Sequence, residues 1–169
     1  MASDQDLRLT DFAVHRPMTT RWADNDMYGH LNNAVYYQLF DTAINGWLAE
    51  TLSAAGTPLD PAHDTVNNVV VESGCRFLAS IAFPEPIVVA LAVDRLGTSS
   101  VTYDLAVFGG SDGPDGPPAA RGRWVHVYVD ARTRRPVAIP DTVRGVLTTA
   151  VRPPSTSDSS TSDRTGERQ

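Results

Sequence analysis

The sequence contains no lysine: all fourteen basic residues are Arg, set against twenty Asp and Glu, for a net charge of -6. Such a chain has no broad basic face, which excludes an ordinary nucleic-acid binder. Its cationic contacts are made by planar guanidinium groups, which suit phosphate and carboxylate. A lone cysteine, Cys75, excludes an internal disulfide framework and a thiolate metal cluster. There is no run of eighteen apolar residues and no basic start followed by an apolar stretch. Neither a spanning helix nor a secretory leader is therefore expected, and the cytoplasm is the expected compartment. Gly-x-Ser-x-Gly, His-Glu-x-x-His and a phosphate-binding loop are all missing, which leaves serine hydrolase, zinc protease and NTPase readings without support. The Arg-only usage, with abundant Ala, Asp and Pro, is that expected of a GC-rich bacterial genome.

What remains is an ordinary globular composition, 41% hydrophobic and 20% charged over 169 residues. That length suits one domain with a real core. Residues 1–12 are polar and expected to be flexible. Val14, Met18, Thr20 and Trp22 favour one face, which predicts a strand over 14–22, with Pro17 marking it as an edge. The turn-rich ADNDMYGHLNN (23–33) follows. Then Val35, Tyr36, Leu39, Phe40, Ala43, Ile44, Trp47, Leu48 and Leu52 recur at helical spacing. Asn32 or Asn33 suits the N-cap, and Gly56 with Pro58 suits the stop. Gly46 within this helix is explained if another backbone approaches closely.

Strands are predicted over 66–78, 86–96, 99–108 and 121–130, with a loop over 109–120 and a closing helix over 139–150 that has Pro140 near its first turn. Cys75 falls in an apolar alternation and reads as a small core residue. From Pro153 the Ser/Thr/Asp-rich tail cannot repay its ordering entropy and is expected to be disordered. The domain thus spans 13–152. One long helix followed by four strands in hairpin succession indicates an α+β domain with a five-stranded antiparallel sheet. A single helix leaves part of that sheet uncovered, which a second copy would cover.

ADNDMYGHLNN is the stretch with chemical potential. Gly29 permits a left-handed turn before the helix. The first helical amides, around Leu31 to Ala34, lack intrahelical partners and sit at a positive dipole end, where they favour an anion or a developing oxyanion. Asp24 and Asp26 lie a few residues upstream, so a carboxylate can flank the same spot. Together these are the parts of an acyl-transfer site. A plain Asx-rich turn has the same composition. By residue type alone, His30 is equally a structural residue, and Tyr36 and Tyr37 equally packing residues.

RWADNDMYGHLNNAVYYQLFDTA resembles the signature of the 4-hydroxybenzoyl-CoA thioesterase-like family of hot dog proteins, Asp-x-Asp-x-x-Gly-His-x-Asn-Asn-x-x-Tyr leading into a central helix. Asp24, Asp26, Gly29, His30, Asn32, Asn33 and Tyr36 fill its fixed positions. The similarity continues more weakly to about residue 150. The resemblance implies a hot dog fold, with the sheet wrapped around the long helix and two protomers joined edge to edge. It implies acyl-CoA thioester hydrolysis without metal or redox cofactor, in a homodimer or tetramer. It makes Asp26 the catalytic carboxylate, as nucleophile or as general base, and the backbone amide of Asn33 the oxyanion donor. His30 would orient Asp26 or water, Gly29 and Tyr36 would contact substrate, and Asp24 would fix the turn.

Coenzyme A is anionic, and Arg132, Arg134 and Arg135 form the densest basic cluster, able to hold its phosphates or simply to line a solvated turn. Arg76 is a candidate near the acyl end, or a partner of Glu72. Trp22, Trp47, Phe77 and Trp124 are candidates for an apolar acyl pocket as well as for the core. Two other functions fit the same residues: release of an acyl group from a carrier protein, and binding of acyl-CoA without catalysis.

Overall fold

Asn32 opens the long helix. Its side-chain oxygen accepts from the Ala34 amide at 3.0 Å, and α1 (Asn33–Ala54) runs 22 residues from there. At about 1.5 Å per residue it is roughly 33 Å long. In the computed structural model, which describes residues 4–60 and 63–152, α1 lies against a five-stranded antiparallel sheet. The strands are β1 (Val14–Met18), β2 (Val66–Phe77), β3 (Ile87–Leu96), β4 (Ser100–Gly109) and β5 (Ala120–Asp130), in the spatial order β1-β3-β4-β5-β2. The fold is α+β and is the predicted hot dog arrangement. A short helix, α2 (Asp141–Thr149), closes the chain with Pro140 as its N-cap residue, buries Val143, Val146 and Leu147, and packs on α1.

The face of the sheet toward α1 carries Ile87, Val89, Leu91, Val93, Val101, Tyr103, Leu105, Val107, Trp124 and Tyr128. Tyr36, Phe40, Ile44, Trp47, Leu48 and Leu52 of the helix meet it. The closest approach is at Gly122 on β5, where an added Cβ would lie 2.5 Å from the Phe40 ring. Phe40 is fully buried, a stabilisation on the order of 2–3 kcal/mol, and the missing side chain at 122 makes its seat.

Several expectations need correction. Gly46 does not receive a backbone. Its Cβ position faces the Arg16 guanidinium at 3.3 Å, which crosses from β1 to form a bidentate pair with Glu50. The first strand ends at Met18, and Trp22–Asp24 is a 3-10 turn, because the Asp24 carboxylate accepts from the Arg21 amide at 2.7 Å and curls the chain. At the N-terminus, where flexibility is expected, Leu9 and Phe12 pack on the outer face of the sheet. Phe12 is buried edge-on to Phe108 at 5.9 Å, and Asp4 forms ion pairs with Arg76 and Arg121. The polar composition hid one aromatic anchor and one set of ion pairs. Residues 1–3 and the tail 153–169, expected to be disordered, lie outside the described residues.

Candidate active site

The turn before α1 is built around Asp26. Its amide donates to the His30 carbonyl at 2.7 Å, and its carbonyl accepts from the Gly29 amide at 3.1 Å. Its Oδ1 accepts from the amides of Tyr28 (2.8 Å) and His30 (3.2 Å). Gly29 takes φ +81°, the left-handed conformation foreseen for it. The turn is anchored outward as well: Leu31 donates to Ile81 (2.7 Å), Asn32 donates to Asp24 (2.8 Å), and Asn25 accepts from the Phe83 amide (3.2 Å). One oxygen of Asp26 is thus committed to the turn. The other, Oδ2, has no hydrogen-bond partner among the described residues, and the side chain is partly exposed.

The helix entry next to it has one unclaimed donor. The Ala34 amide is taken by the Asn32 side chain, and the Val35 amide by the Asn32 carbonyl. The Asn33 amide, at the first helical position, has no intrahelical acceptor and is exposed at the positive end of a 22-residue helix. His30 is exposed beside it.

The two aspartates differ sharply. Asp24 is buried, with the Arg21 guanidinium at 2.7 Å, and that hydrogen-bonded ion pair lowers its pKa. Both its oxygens are consumed in shaping the turn. Tyr36, expected at the substrate, is turned inward. It is 3% exposed, lies 5.2 Å edge-on from Phe77, and burial pushes its pKa up to about 12. Cys75 is half-buried on β2, and burial pushes its thiol up to about 11, so it is a poor nucleophile at neutral pH.

The basic cluster is not at this site within one protomer. The Asp26 turn meets the sheet at its Phe77–Ala120 end, whereas Arg132, Arg134 and Arg135 follow the other end of β5, where Ala131 donates to Thr65. About ten strand residues, roughly 33 Å, separate the two ends. Arg76 points to the outer face and pairs with Asp4 at 2.7 Å, while Glu72 pairs with Arg123, so the Glu72 pairing expected for Arg76 is not formed. Trp47 and Trp124 are core residues. Trp22 is 78% exposed next to the turn, together with Met27 and Tyr28, and Phe77 is half-exposed below it.

A model of the thioesterase-like superfamily matches residues 20–147. The chain belongs to the thioesterase-like superfamily. The PA5185 protein of Pseudomonas aeruginosa is 43% identical to it, with a TM-score of 0.76 over 85% of this chain and 94% of that one. At 15% identity, Slr0204 of Synechocystis, a 1,4-dihydroxy-2-naphthoyl-CoA thioesterase, shares the fold with a TM-score of 0.65 over 79% and 94% of the two chains. At 16%, SAV2348 of Staphylococcus aureus, solved in complex with CoA, shares it with a TM-score of 0.68 over 79% and 80%. No curated protein sequence matches the chain. Among the described residues no helix is long and apolar enough to cross a membrane.

Sequence reasoning missed a buried ring cluster on the helix-facing side of the sheet. There Trp124 Nε1 donates to His126 Nε2 at 3.0 Å, and Tyr103 lies edge-on to His126 at 5.5 Å. His126 is 1% exposed, and burial lowers its pKa to about 4, so it is neutral at pH 7. The alternation of Trp124, His126 and Tyr128 along β5 was the available signal, because it put three polar-tipped rings on the face that meets the helix.

Proposed function

We propose that this protein is an acyl-CoA thioesterase in which Asp26 is the catalytic carboxylate and the Asn33 amide the oxyanion donor. The observation that carries this is the pairing of an Asp26 carboxylate with one oxygen held and one free and a helix entry whose Asn33 amide is unclaimed. A thioester carbonyl accepting from Asn33 is polarised by that amide and by the helix dipole. The free oxygen of Asp26 then attacks the carbonyl carbon or takes a proton from a water that does. The tetrahedral oxyanion collapses, the C–S bond breaks, and the CoA thiolate leaves and is protonated; on the nucleophilic route the acyl–Asp26 anhydride left behind is then hydrolysed by water, which frees the acid and the carboxylate. No step calls for a metal or redox cofactor. His30, exposed at the same turn, is suited to orient the water, and Gly29 keeps the approach to the turn open.

The working unit in this proposal is a homodimer joined through β2. That strand is a sheet edge twelve residues long, with Val70 46% and Val71 59% exposed and a bulge between Val70 and Glu72. An unpaired apolar edge of this kind calls for a partner strand. Antiparallel pairing of two copies would bring the Val66 end of one protomer to the Phe77 end of the other. The Arg132, Arg134 and Arg135 turn of one copy would then flank the Asp26 turn of its partner, where it can bind CoA phosphates. The CoA bound in SAV2348 and the CoA thioester named for Slr0204 support the choice of substrate class by likeness of fold.

A free-thiol release assay over acyl-CoA and acyl-carrier-protein thioesters, run with native mass measurement, tests the proposal. Thiol release from CoA esters by a dimer or a dimer of dimers is the expected result. Release only from carrier protein would move the substrate class, and tight binding with no release from any ester would reject hydrolysis.

A further inference from the structure

Asn25 fills the open position between the two aspartates of the Asp-x-Asp signature, so the family pattern gives it no role. It follows the 3-10 turn Trp22–Asp24 and pairs with Leu31 in an isolated antiparallel bridge. Its side chain is half-buried and makes two hydrogen bonds of opposite sense. Nδ2 donates to the Gly29 carbonyl at 3.2 Å, and Oδ1 accepts from the Phe83 amide at 3.2 Å. A carbonyl can only accept and an amide N–H can only donate, so both ends of the carboxamide are specified. A carboxylate at this position would lose the first bond, and a hydrocarbon would lose both.

The bond to Gly29 reaches Asp26 through one rigid unit. The Gly29–His30 peptide is trans, with its carbonyl and its N–H on opposite sides of one plane. Asn25 holds the carbonyl side, and the His30 N–H on the other side donates to Asp26 Oδ1 at 3.2 Å. Among the described residues no other donor reaches the Gly29 carbonyl. Gly29 sits at φ +81° and has no side chain to brace that plane. The bond to Phe83 ties the other end of the carboxamide to a fixed frame. Two residues earlier in the same loop, Ile81 is 1% exposed and accepts from the Leu31 amide at 2.7 Å. Asn25 thus joins that frame to the peptide that holds the Asp26 carboxylate. Without it the plane can rotate, withdraw its N–H from Oδ1 and let the carboxylate turn.

We propose that Asn25 is a positioning residue for thioester hydrolysis, acting on Asp26 through the Gly29–His30 peptide. The inference rests on the thioesterase reading and on Asp26 as its carboxylate. Asn25 holds that carboxylate at the angle the reacting carbonyl carbon or its water requires, where a misplacement of about 1 Å costs on the order of 100-fold in rate. Substrate binding is left to other groups, so loss of Asn25 lowers kcat and leaves KM in place.

The test is a double-mutant cycle on thiol release between Asn25→Ala and Asp26→Asn, joined to the exchange rate of the His30 amide measured by NMR. Alone, Asn25→Ala should lower kcat about 10–100-fold with KM within about 2-fold. Its melting temperature should stay within about 5 °C of the wild type, and the His30 amide should exchange several-fold faster. In the Asp26→Asn background the same change should lower the remaining rate by less than about 2-fold, because the group it positions is gone. An asparagine serving only the fold would instead cost the same factor in both backgrounds. That result, an unchanged kcat in Asn25→Ala, or a His30 amide exchanging at the wild-type rate would overturn the proposal and leave hydrolysis standing. Asn25→Asp covers a failure of the alanine variant to fold. It keeps the acceptor for Phe83 and loses only the donor to Gly29, so it should melt close to the wild type while the His30 amide exchanges faster. Wild-type exchange at His30 in that variant would also overturn the proposal. The reading beneath it fails by other results: no thiol release by the wild type from any CoA ester, or near-normal turnover in Asp26→Asn alone. Either of those takes the positioning role with it.

Discussion

At the entry to α1 the backbone spends its hydrogen bonds on keeping one carboxylate oxygen free, whereas two turns along the same helix Phe40 fills the place of a side chain missing from Gly122. The entry turn is polar and exposed, held by local bonds within residues 24–33 and by ties to Ile81 and Phe83. The middle is apolar, held by fit between elements distant in sequence. A substitution at the entry should therefore change chemistry and leave stability nearly alone, and one in the middle should do the reverse. Asp26→Asn is the sharpest way to break that division. Asparagine keeps an Oδ1 for the Tyr28 and His30 amides, so the turn should persist and the melting temperature stay within a degree or two. Turnover should drop at least ~100-fold, the scale of losing a general base or nucleophile. Near-normal turnover in that variant would remove Asp26 from the catalytic role.

His126 provides the second test, from the buried side. Its folded pKa, about 4, is below the unfolded value near 6.5. Above pH 6.5 the ring is neutral in both states and costs nothing. As the pH falls below 6.5 the unfolded chain takes up the proton first, and stability is lost progressively down to about pH 4. Roughly 2–3 kcal/mol should be lost between pH 7 and 4.5 through this group. Urea unfolding of wild type and His126→Gln at both pH values measures the difference, since Gln still offers Trp124 an acceptor and does not titrate. Parallel losses in the two proteins would show that His126 does not set the acid sensitivity.

Gly122→Ala tests the fit itself. A methyl 2.5 Å from the Phe40 ring cannot be accommodated without moving the ring or the strand, at a cost of about 1–3 kcal/mol. Phe40→Leu in the same chain should recover part of that loss, because the two sites share one volume. Additive losses would mean that the strand shifts and the ring does not. The rate constant for thiol release should change far less than in Asp26→Asn.

The two regions were not equally legible in the sequence. Local chemistry reads well from a string: a cap at Asn32 or Asn33 and a left-handed turn at Gly29 follow from residue type and short spacing, while the choice between Asp24 and Asp26 needed the family resemblance. The helix and four of the strands followed from periodicity, within one or two residues. What failed depended on long-range contacts. Gly46 read as a backbone contact because nothing in the string says that Arg16 reaches across to Glu50. The contact of the Tyr36 ring with Phe77 is likewise long-range and had no signal in the string. Asp4 and Phe12 gave no periodic signal, since a single anchor has no period.

The smallest expected effect concerns the basic turn at the far end of β5. Within one protomer Arg132, Arg134 and Arg135 lie roughly 33 Å from the Asp26 turn, beyond several Debye lengths at physiological salt. They can matter to catalysis there only if a partner copy brings its own turn across the β2 edge. Replacing all three with Ser should therefore raise KM for CoA esters by about 3–10-fold, with little change in kcat, and the effect should shrink as salt rises. The same triple variant assayed on acyl-pantetheine, which lacks the nucleotide phosphates, should match the wild type. An unchanged KM for CoA esters would leave the turn as solvated surface and confine the candidate site to the helix entry. A rise shared equally by acyl-pantetheine would point instead to altered packing around Arg134, whose φ of +60° gives Ser no better backbone fit.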